Sequence, residues 1–200
     1  MPFYPTELST DFWGAIAALE QIAAQSSHEL SAHPNPLAPL SPLVPLAMLI
    51  GLPGSGKSTW AAVLRVKISG WTVISTDEIR AQHYGDPTIQ GSWFTIWHAV
   101  EAELDQIKHS IQAGDQRGAI YDATNVKRRS RRDVLTQFRT WGFIPVIGIW
   151  FETPLSIALE RNQQRSRQVP ESVILKMHRQ LTDAPPDLSD GLDYLIRVTV

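Results

Sequence analysis

The sequence of 200 residues contains no cysteine, which excludes disulfide bonds and metal sites built from thiolate ligands. It also has no apolar run that approaches the roughly 18 residues of a membrane-spanning helix. The first residues, Met-Pro-Phe-Tyr-Pro-Thr-Glu, lack the basic start and the apolar core of a signal peptide. We therefore expect a cytoplasmic protein with no membrane partner.

An excess of charge of one sign is missing as well. The chain has 18 Lys and Arg against 20 Asp and Glu, a formal net charge of −2 at pH 7. Its average field therefore does not attract nucleic acid, and any contact with phosphates requires a local basic patch. A content of 43% apolar and 19% charged residues is that of an ordinary globular domain and excludes a largely disordered chain.

The most informative segment is 51–58, Gly-Leu-Pro-Gly-Ser-Gly-Lys-Ser, which fits the pattern G-x-x-x-x-G-K-[ST]. Glycines in such a loop let backbone N–H groups converge on phosphates, the lysine reaches the outer phosphates, and the serine offers its hydroxyl to Mg²⁺. The alternative is a glycine-rich turn that binds nothing, but the helical pattern of 59–67 places a positive helix end at this loop. The motif predicts binding of a nucleoside triphosphate through Gly51, Pro53, Gly54, Ser55, Gly56, Lys57, Ser58 and Thr59.

Short apolar runs alternate with helical patterns along the rest of the chain. The predicted strands are 46–50, 71–75, 119–121, 144–151 and 194–200. One helix between them carries Phe94, Trp97, Val100, Leu104, Ile107 and Ile111 and stops at Gly114, and a later one carries Val134, Leu135, Phe138 and Trp141. This order predicts an α/β fold with a five-stranded, parallel, doubly wound sheet, whose ligands lie beyond the carboxyl ends of the strands.

An amphipathic helix is predicted over 11–30. Ser9 and Thr10 are its candidate caps, and apolar residues follow at helical spacing at Phe12, Ile16, Leu19 and Ala23. Prolines at 34, 36, 39, 42 and 45 then favour an extended chain. We therefore divide the chain into an N-terminal helical extension (1–32), a proline-rich connector (33–45) and a nucleotide-binding domain (46–200). Packing on its own domain is the simplest role for this helix, and self-association or guidance of a substrate are the alternatives.

A second polar element, Ser-Thr-Asp-Glu-Ile-Arg at 75–80, follows the second predicted strand and so lies at the same edge of the sheet as the glycine loop. A hydroxyl that attacks a phosphoryl group needs a carboxylate to take its proton, which makes Asp77 the candidate general base. Arg80, one helical turn later, can orient that carboxylate or the acceptor. The alternative is that Thr76 and Asp77 serve only as helix caps.

The third predicted strand leads into Asp122, within Tyr-Asp-Ala-Thr-Asn at 121–125. A carboxylate at this place can support Mg²⁺ together with Ser58 or face the acceptor, and Asn125 is a further candidate substrate ligand. Alternatively, Asp122 and Asn125 make only the local hydrogen bonds of a turn.

Two basic segments are candidate anion sites. The first places five cations in six positions, namely Lys127, Arg128, Arg129, Arg131 and Arg132. Such a run is typical of a solvated helix face, but it is also the best local patch for nucleic acid in this chain.

The second basic segment is 161–170, in which Arg161 and Arg165 lie four residues apart. On a helix, both guanidinium groups would project from one face and could close as a lid over transferring phosphates. The alternative is a surface helix that pairs with Glu160 or Glu171.

With these motifs in this order, residues 46–200 resemble the polynucleotide 5′-hydroxyl kinase group of P-loop kinases, an AAA-type family of ATP-binding kinases. The resemblance rests on Gly-Leu-Pro-Gly-Ser-Gly-Lys-Ser-Thr, Ser-Thr-Asp-Glu-Ile-Arg, Asp-Ala-Thr-Asn, and Arg-Asn-x-x-Arg ahead of Val-Pro. It implies the P-loop NTPase fold with a helical lid, ATP as phosphate donor and Mg²⁺. It also implies phosphate and metal binding by Lys57 and Ser58, proton abstraction by Asp77, acceptor contacts from Arg80 and Asp122, and a lid over ATP from Arg161 and Arg165. The predicted catalytic residues are thus Asp77, Lys57, Arg80 and Arg165.

Three functions are compatible with these residues. The first is an ATP-dependent kinase of the 5′-hydroxyl of a nucleic acid or nucleotide, and the second is a kinase of a small molecule such as a sugar. The third is a nucleotide-binding module without an acceptor, which would need no carboxylate at position 77. A groove that runs from Arg80 to the cations at 127–132 favours a nucleic acid, whereas a closed pocket favours a metabolite.

Overall fold

The computed structural model describes residues 7–32, 43–86, 89 and 91–199. Residues 33–42 of the predicted connector lie outside the described residues, so the connector and the division of the chain at 32 and 45 stay predictions. In the described part of the chain, none of the helices combines the length and the apolar character that crossing a bilayer requires.

The described residues form one sheet of six strands. In chain order, the strands are β1 (Glu7–Thr10), β2 (Leu46–Ile50), β3 (Trp71–Ser75), β4 (Gly118–Asp122), β5 (Val146–Glu152) and β6 (Tyr194–Thr199). Across the sheet their order is β1-β6-β5-β2-β4-β3, and every neighbouring pair is parallel. In the register of the central strands, Leu46 lies opposite both Ala119 and Val146. The strand order reverses at β2, whose carboxyl end therefore opens the crevice in which such sheets bind ligands.

Helices cover both faces of the sheet. In chain order, they are α1 (Phe12–Ala32), α2 (Lys57–Lys67), α3 (Thr76–Tyr84), α4 (Trp93–Gln112), α5 (Arg128–Thr140), α6 (Leu155–Gln163) and α7 (Glu171–Asp183), with a 3₁₀ turn at Leu188–Asp190. Side chains of β2 alternate between the faces, because Ala47 and Leu49 pack with α1 and α2, whereas Leu46, Met48 and Ile50 pack with α4, α5 and α7. The predicted doubly wound α/β fold is confirmed.

The sheet has one strand more than the five predicted. Strand β1 pairs with β6 at the edge of the sheet. Its sequence, Glu-Leu-Ser-Thr, contains a single apolar residue, so the period-2 pattern that marks a half-buried strand is absent. Backbone pairing with β6 forms this strand instead. Ser9 and Thr10 therefore belong to β1, and the carboxylate of Asp11 caps α1 by accepting a hydrogen bond from the Gly14 amide at 2.7 Å.

Helix α1 packs on the sheet of its own chain. Ala15, Leu19 and Ile22 are buried with residues of β5 and β6, and the Trp60 indole donates a hydrogen bond to the Phe12 carbonyl at 3.1 Å. This packing accounts for the amphipathic pattern of the N-terminal segment.

Helix α4 follows its predicted stripe with one exception. Val100, Leu104, Ile107 and Ile111 are buried, and the helix ends before Gly114 as predicted, but Phe94 is 71% exposed and Ile96 is buried in its place. At 3.6 residues per turn, position 94 lies about 120° around the helix from the centre of the buried stripe.

Candidate active site

The glycine loop joins β2 to α2 at the carboxyl edge of the sheet. Gly56 precedes α2 with φ of 96°, a left-handed conformation that favours glycine. At Gly54, where φ is 81°, a Cβ atom would lie 2.4 Å from the Ala158 carbonyl oxygen of α6, so glycine permits the loop to approach that helix. No side chain caps the start of α2. Its first amides are therefore available to an anion, as in other phosphate-binding helix ends.

Lys57 is buried inside this loop, with 7% of the residue exposed. Its ammonium donates hydrogen bonds to the carbonyls of Gly51 at 2.9 Å and Leu52 at 2.8 Å and to the Ser55 hydroxyl at 3.2 Å. Burial lowers the pKa of Lys57 to about 8, and the nearby Asp122 carboxylate opposes that shift. A triphosphate in the loop would supply the negative charge that stabilises the protonated lysine.

The predicted metal ligands, Ser58 and Asp122, meet at the base of the loop. The Ser58 hydroxyl is hydrogen bonded to the Asp122 carboxylate, and burial raises the pKa of Asp122 while Lys57 lowers it. Among the described residues, no group of three His, Asp or Glu side chains forms a closed metal cage. Mg²⁺ commonly takes only one or two protein oxygens and completes its shell with substrate phosphates and water, so this pair of oxygen donors fits it.

Asn125 lies in the turn after β4, with φ of 49°. Its amide nitrogen donates to the carbonyls of Leu49 at 2.7 Å and Ala123 at 3.4 Å, while the Thr124 carbonyl accepts from the Gly51 amide at 3.0 Å. The turn is thereby fixed to β2 and to the start of the glycine loop. This geometry gives Asn125 the local turn role, and a substrate contact by this residue stays a prediction.

The cap of α3 is neither of the two residues considered from the sequence. The Ser75 hydroxyl accepts a hydrogen bond from the Glu78 amide at 3.3 Å and so caps the helix. Asp77 lies inside the first turn, with a side chain that is 52% exposed. Its carboxylate therefore has no capping role, and it lies close enough to Lys57 to oppose the lowering of the pKa of that lysine.

Replacing Ser75 with alanine should lower the free energy of unfolding by about 1 kcal/mol, because the first turn of α3 loses its hydrogen-bonded cap. Urea denaturation would measure the change. Ser130→Ala is the matched control, because Ser130 is exposed within α5, where alanine is the better helix former. Equal stability of the two variants would contradict the cap assignment.

Both oxygens of Asp77 are held by arginines. Nη1 of Arg80 lies 3.0 Å from Oδ1, and Nη1 of Arg167 lies 3.2 Å from Oδ2. The Arg80 side chain is only 12% exposed, and its buried Nε has no hydrogen-bond partner among the described residues. Arg167 was not among the residues predicted from the sequence.

The lid segment lies between α6 and α7. Helix α6 ends at Gln163, so Arg165 lies in the loop beyond it and does not share a helical face with Arg161, contrary to the prediction. Asn162, which is 5% exposed, closes the loop by donating to the Val169 carbonyl at 2.9 Å and accepting from the Val169 amide at 3.0 Å. Arg165 lies close enough to Lys57 to add to the effect of burial in lowering the pKa of that lysine. The loop thus brings one predicted arginine to the glycine loop.

The basic run at 127–132 is only partly a solvated face. Arg131 is fully buried, where its guanidinium contacts the Asp190 carboxylate at 2.6 Å and the carbonyls of Asn125 at 3.1 Å and Ala184 at 3.2 Å. Arg128 contacts the other oxygen of Asp190 at 2.7 Å. Arg131 therefore fixes the turn after β4 to the segment that leads into β6.

A sequence signal for this buried arginine exists. Arg131 stands three, four and seven residues before Val134, Leu135 and Phe138, all of which are buried, so it lies on the inner face of α5. The exposed cations of the run are Lys127, Arg128, Arg129 and Arg132, and Arg128 is paired with Asp190.

Comparisons with known proteins show the family of this chain. Residues 46–184 match the model of a family described as an AAA domain. L-seryl-tRNA(Sec) kinase from Methanococcus maripaludis is 25% identical over 168 residues, which cover 74% of this chain and 60% of that protein. A chain in the structure of the Pnkp1/Rnl/Hen1 RNA repair complex has a TM-score of 0.60 and 26% identity, and the match covers 70% of this chain and 45% of that chain.

A sugar kinase from Janibacter has a TM-score of 0.50 and 19% identity over 78% of this chain and 85% of that chain, which is a likeness of fold alone. The chain spans 60% of the curated relative and 45% of the chain from the repair complex. The family match, in contrast, takes in the glycine loop, α3, the β4 turn and the lid, over well more than half of the sequence. The protein therefore belongs to the AAA domain family, whose model covers its glycine loop.

Proposed function

We propose that the protein is an ATP-dependent phosphotransferase that moves the γ-phosphate of ATP to a hydroxyl group, specifically the 5′-hydroxyl of a nucleic acid or nucleotide. The observation that carries this proposal is the Asp77 carboxylate, held between Arg80 and Arg167 at the same edge of the sheet as the glycine loop. A module that only binds nucleotide has no use for a carboxylate on the acceptor side.

The donor side is built from the loop and the start of α2. Lys57 and the first amides of α2 bind the outer phosphates of ATP, and Arg165 approaches them from the lid. Ser58 and Asp122 would hold Mg²⁺, which when bound neutralises charge on the phosphates.

The acceptor side supplies the base. Asp77 takes the proton of the acceptor hydroxyl while the oxygen of that hydroxyl forms a bond to the γ-phosphorus. The bond from the γ-phosphorus to the bridging oxygen of ADP breaks. Charge on the transferring group is met by the nearby cations, which include Lys57 and Arg165.

Two findings favour a nucleic-acid acceptor over a free metabolite. The relatives that carry sequence similarity are an L-seryl-tRNA(Sec) kinase and a chain of an RNA repair complex. The exposed cations Lys127, Arg129 and Arg132 follow the β4 turn, which lies beside the glycine loop, and they offer a local phosphate-binding patch on a chain with a net charge of −2.

Transfer of labelled phosphate from ATP to an oligonucleotide with a 5′-hydroxyl tests this proposal. With two or three phosphate contacts, the KM for the oligonucleotide should rise by about tenfold between 50 and 200 mM salt, since counterion release favours binding at low salt. The same oligonucleotide with a 5′-phosphate is the matched control and should accept no label. Seryl-tRNA, nucleosides and sugars complete the panel, and transfer to sugars alone would assign the chain to the small-molecule kinases.

A further inference from the structure

Two large aromatic side chains stand exposed at the start of α4. Trp93 is 53% exposed and Phe94 is 71% exposed, although the other face of the same helix is fully buried. Single exposed apolar side chains are common on soluble proteins, so the exposure of Trp93 gains meaning only from its surroundings. The two rings face different surroundings, because Phe94 contacts His98, whereas Trp93 contacts Trp97.

Trp93 is the outer member of a ladder of stacked rings. Its centroid lies 5.5 Å from that of Trp97 with 24° between the planes, and Trp97 lies 5.5 Å from Trp141 with 27° between the planes. One face of the Trp93 ring is therefore covered by a half-buried indole, which fixes its orientation. The exposed part of the ring is its opposite face and edge, a flat surface held ready for another ring.

The inner part of this ladder lies in the buried core next to β4, the strand that ends at Asp122. The Trp97 ring stands 6.4 Å from the Tyr121 ring at 88°, and Tyr121 directly precedes Asp122. Burial raises the pKa of Tyr121, and the Arg80 guanidinium is close enough to oppose that shift. Two ring-to-ring steps of 5.5 and 6.4 Å thus connect Trp93 to a tyrosine beside the predicted acceptor residues.

The start of α4 is also tied to α3, the helix that carries Asp77. The Ser92 amide donates a hydrogen bond to the Tyr84 hydroxyl at 3.3 Å. Tyr84 is the last residue of α3, so this hydrogen bond fixes the position of Trp93 relative to the helix that carries Asp77.

We propose that Trp93 stacks on an unpaired base of a nucleic-acid acceptor, a few nucleotides from the 5′-end whose hydroxyl lies at Asp77. This inference rests on the proposed function. Asp77 and Tyr84 stand at the two ends of α3, about 10 Å apart along the helix axis at 1.5 Å per residue. A stacked strand advances about 3.4 Å per nucleotide, so an acceptor has to be longer than one nucleotide to extend from Asp77 past Tyr84 to Trp93. The segment 93–99 supplies no arginine or lysine for a phosphate backbone, and its exposed aromatic ring offers a stacking surface for a base instead.

We call the exposed Trp93 ring the stacking platform. Kinase assays with a 5′-hydroxyl octamer of deoxythymidine and with thymidine 3′-monophosphate test this platform. Trp93→Ala should raise the KM for the octamer by about five- to 100-fold, the range measured for loss of one base stack, and leave the KM for the monophosphate unchanged. Because no phosphate contact is lost, the salt dependence of the octamer KM should stay that of the wild type. Trp93→Phe should retain most of the affinity, whereas Trp93→Leu, which is apolar but not aromatic, should not.

Trp13→Ala is the matched control, because Trp13 is 59% exposed at the start of α1, on the opposite face of the sheet. It should leave both KM values unchanged. An unchanged octamer KM in Trp93→Ala overturns the platform even when the wild type phosphorylates the octamer. If the wild type phosphorylates neither acceptor, the proposed function fails. Binding of the 3′-fluorescein-labelled octamer then tests the platform separately. Equal affinities of wild type and Trp93→Ala for that octamer would overturn it.

Discussion

Asp77→Asn should lower the rate of phosphate transfer by about 10²- to 10⁴-fold, the usual contribution of a general base. Asparagine keeps the shape of the side chain but has no oxygen that can take the proton of the acceptor hydroxyl. ATP binding should survive, because Asp77 lies on the acceptor side and its replacement removes a negative charge near the phosphates. The measurements are kcat with ATP and acceptor both saturating, and ATP affinity by calorimetry.

Arg167→Ala is the control that separates proton abstraction from lid closure. It removes the ion pair between the lid loop and Asp77 at 3.2 Å but leaves the carboxylate and its pairing with Arg80 at 3.0 Å. Because both carboxylate oxygens are paired, an acceptor hydroxyl has to displace one arginine before Asp77 can receive its proton. Arg167→Ala should therefore keep its rate within about tenfold of the wild type. Equal losses in Asp77→Asn and Arg167→Ala would mean that Asp77 serves to hold the lid.

Local chemistry explains what the sequence could predict. Lys57 and Asp77 each follow a strand within a few residues, Lys57 after β2 and Asp77 after β3, so their spacing from those strands places both at the carboxyl edge of the sheet. The meeting of Ser58 and Asp122 was predicted for the same reason, because both follow neighbouring strands β2 and β4. Parallel strands bring their carboxyl ends together whatever the distance in sequence.

Long-range contacts explain what the sequence could not predict. Arg167 and Asp77 are 90 residues apart, and no periodic pattern connects a loop arginine with one residue of a distant helix. Strand β1 forms through backbone pairing with β6 at the opposite end of the chain, so its side chains carry little signal. Arg131 was taken as one of five surface cations, although its spacing from the apolar residues of α5 places it on the buried face.

Lys57→Met should weaken ATP binding by roughly 30-fold or more, because truncating one partner of a buried charge pair commonly costs about 2–5 kcal/mol. Methionine fills much of the space of the lysine chain but has no ammonium for the phosphates. Calorimetry would measure the affinity, and Lys67→Met, an exposed change at the end of the same helix, should leave it unchanged. Equal affinities of Lys57→Met and wild type would remove the lysine from the binding site.

The pH dependence of this affinity gives a second test of the same residue. Burial lowers the pKa of Lys57 to about 8, so the free protein loses the lysine proton as the pH rises through that value. The protonated form binds the phosphates, and ATP affinity should therefore be constant below pH 8 and fall above it, by at most about tenfold per pH unit. Lys57→Met has no such proton to lose and should show a flat profile over the same range. A falling profile in Lys57→Met would assign the titration to another group, and a flat profile in the wild type would show that the lysine stays charged in the free loop.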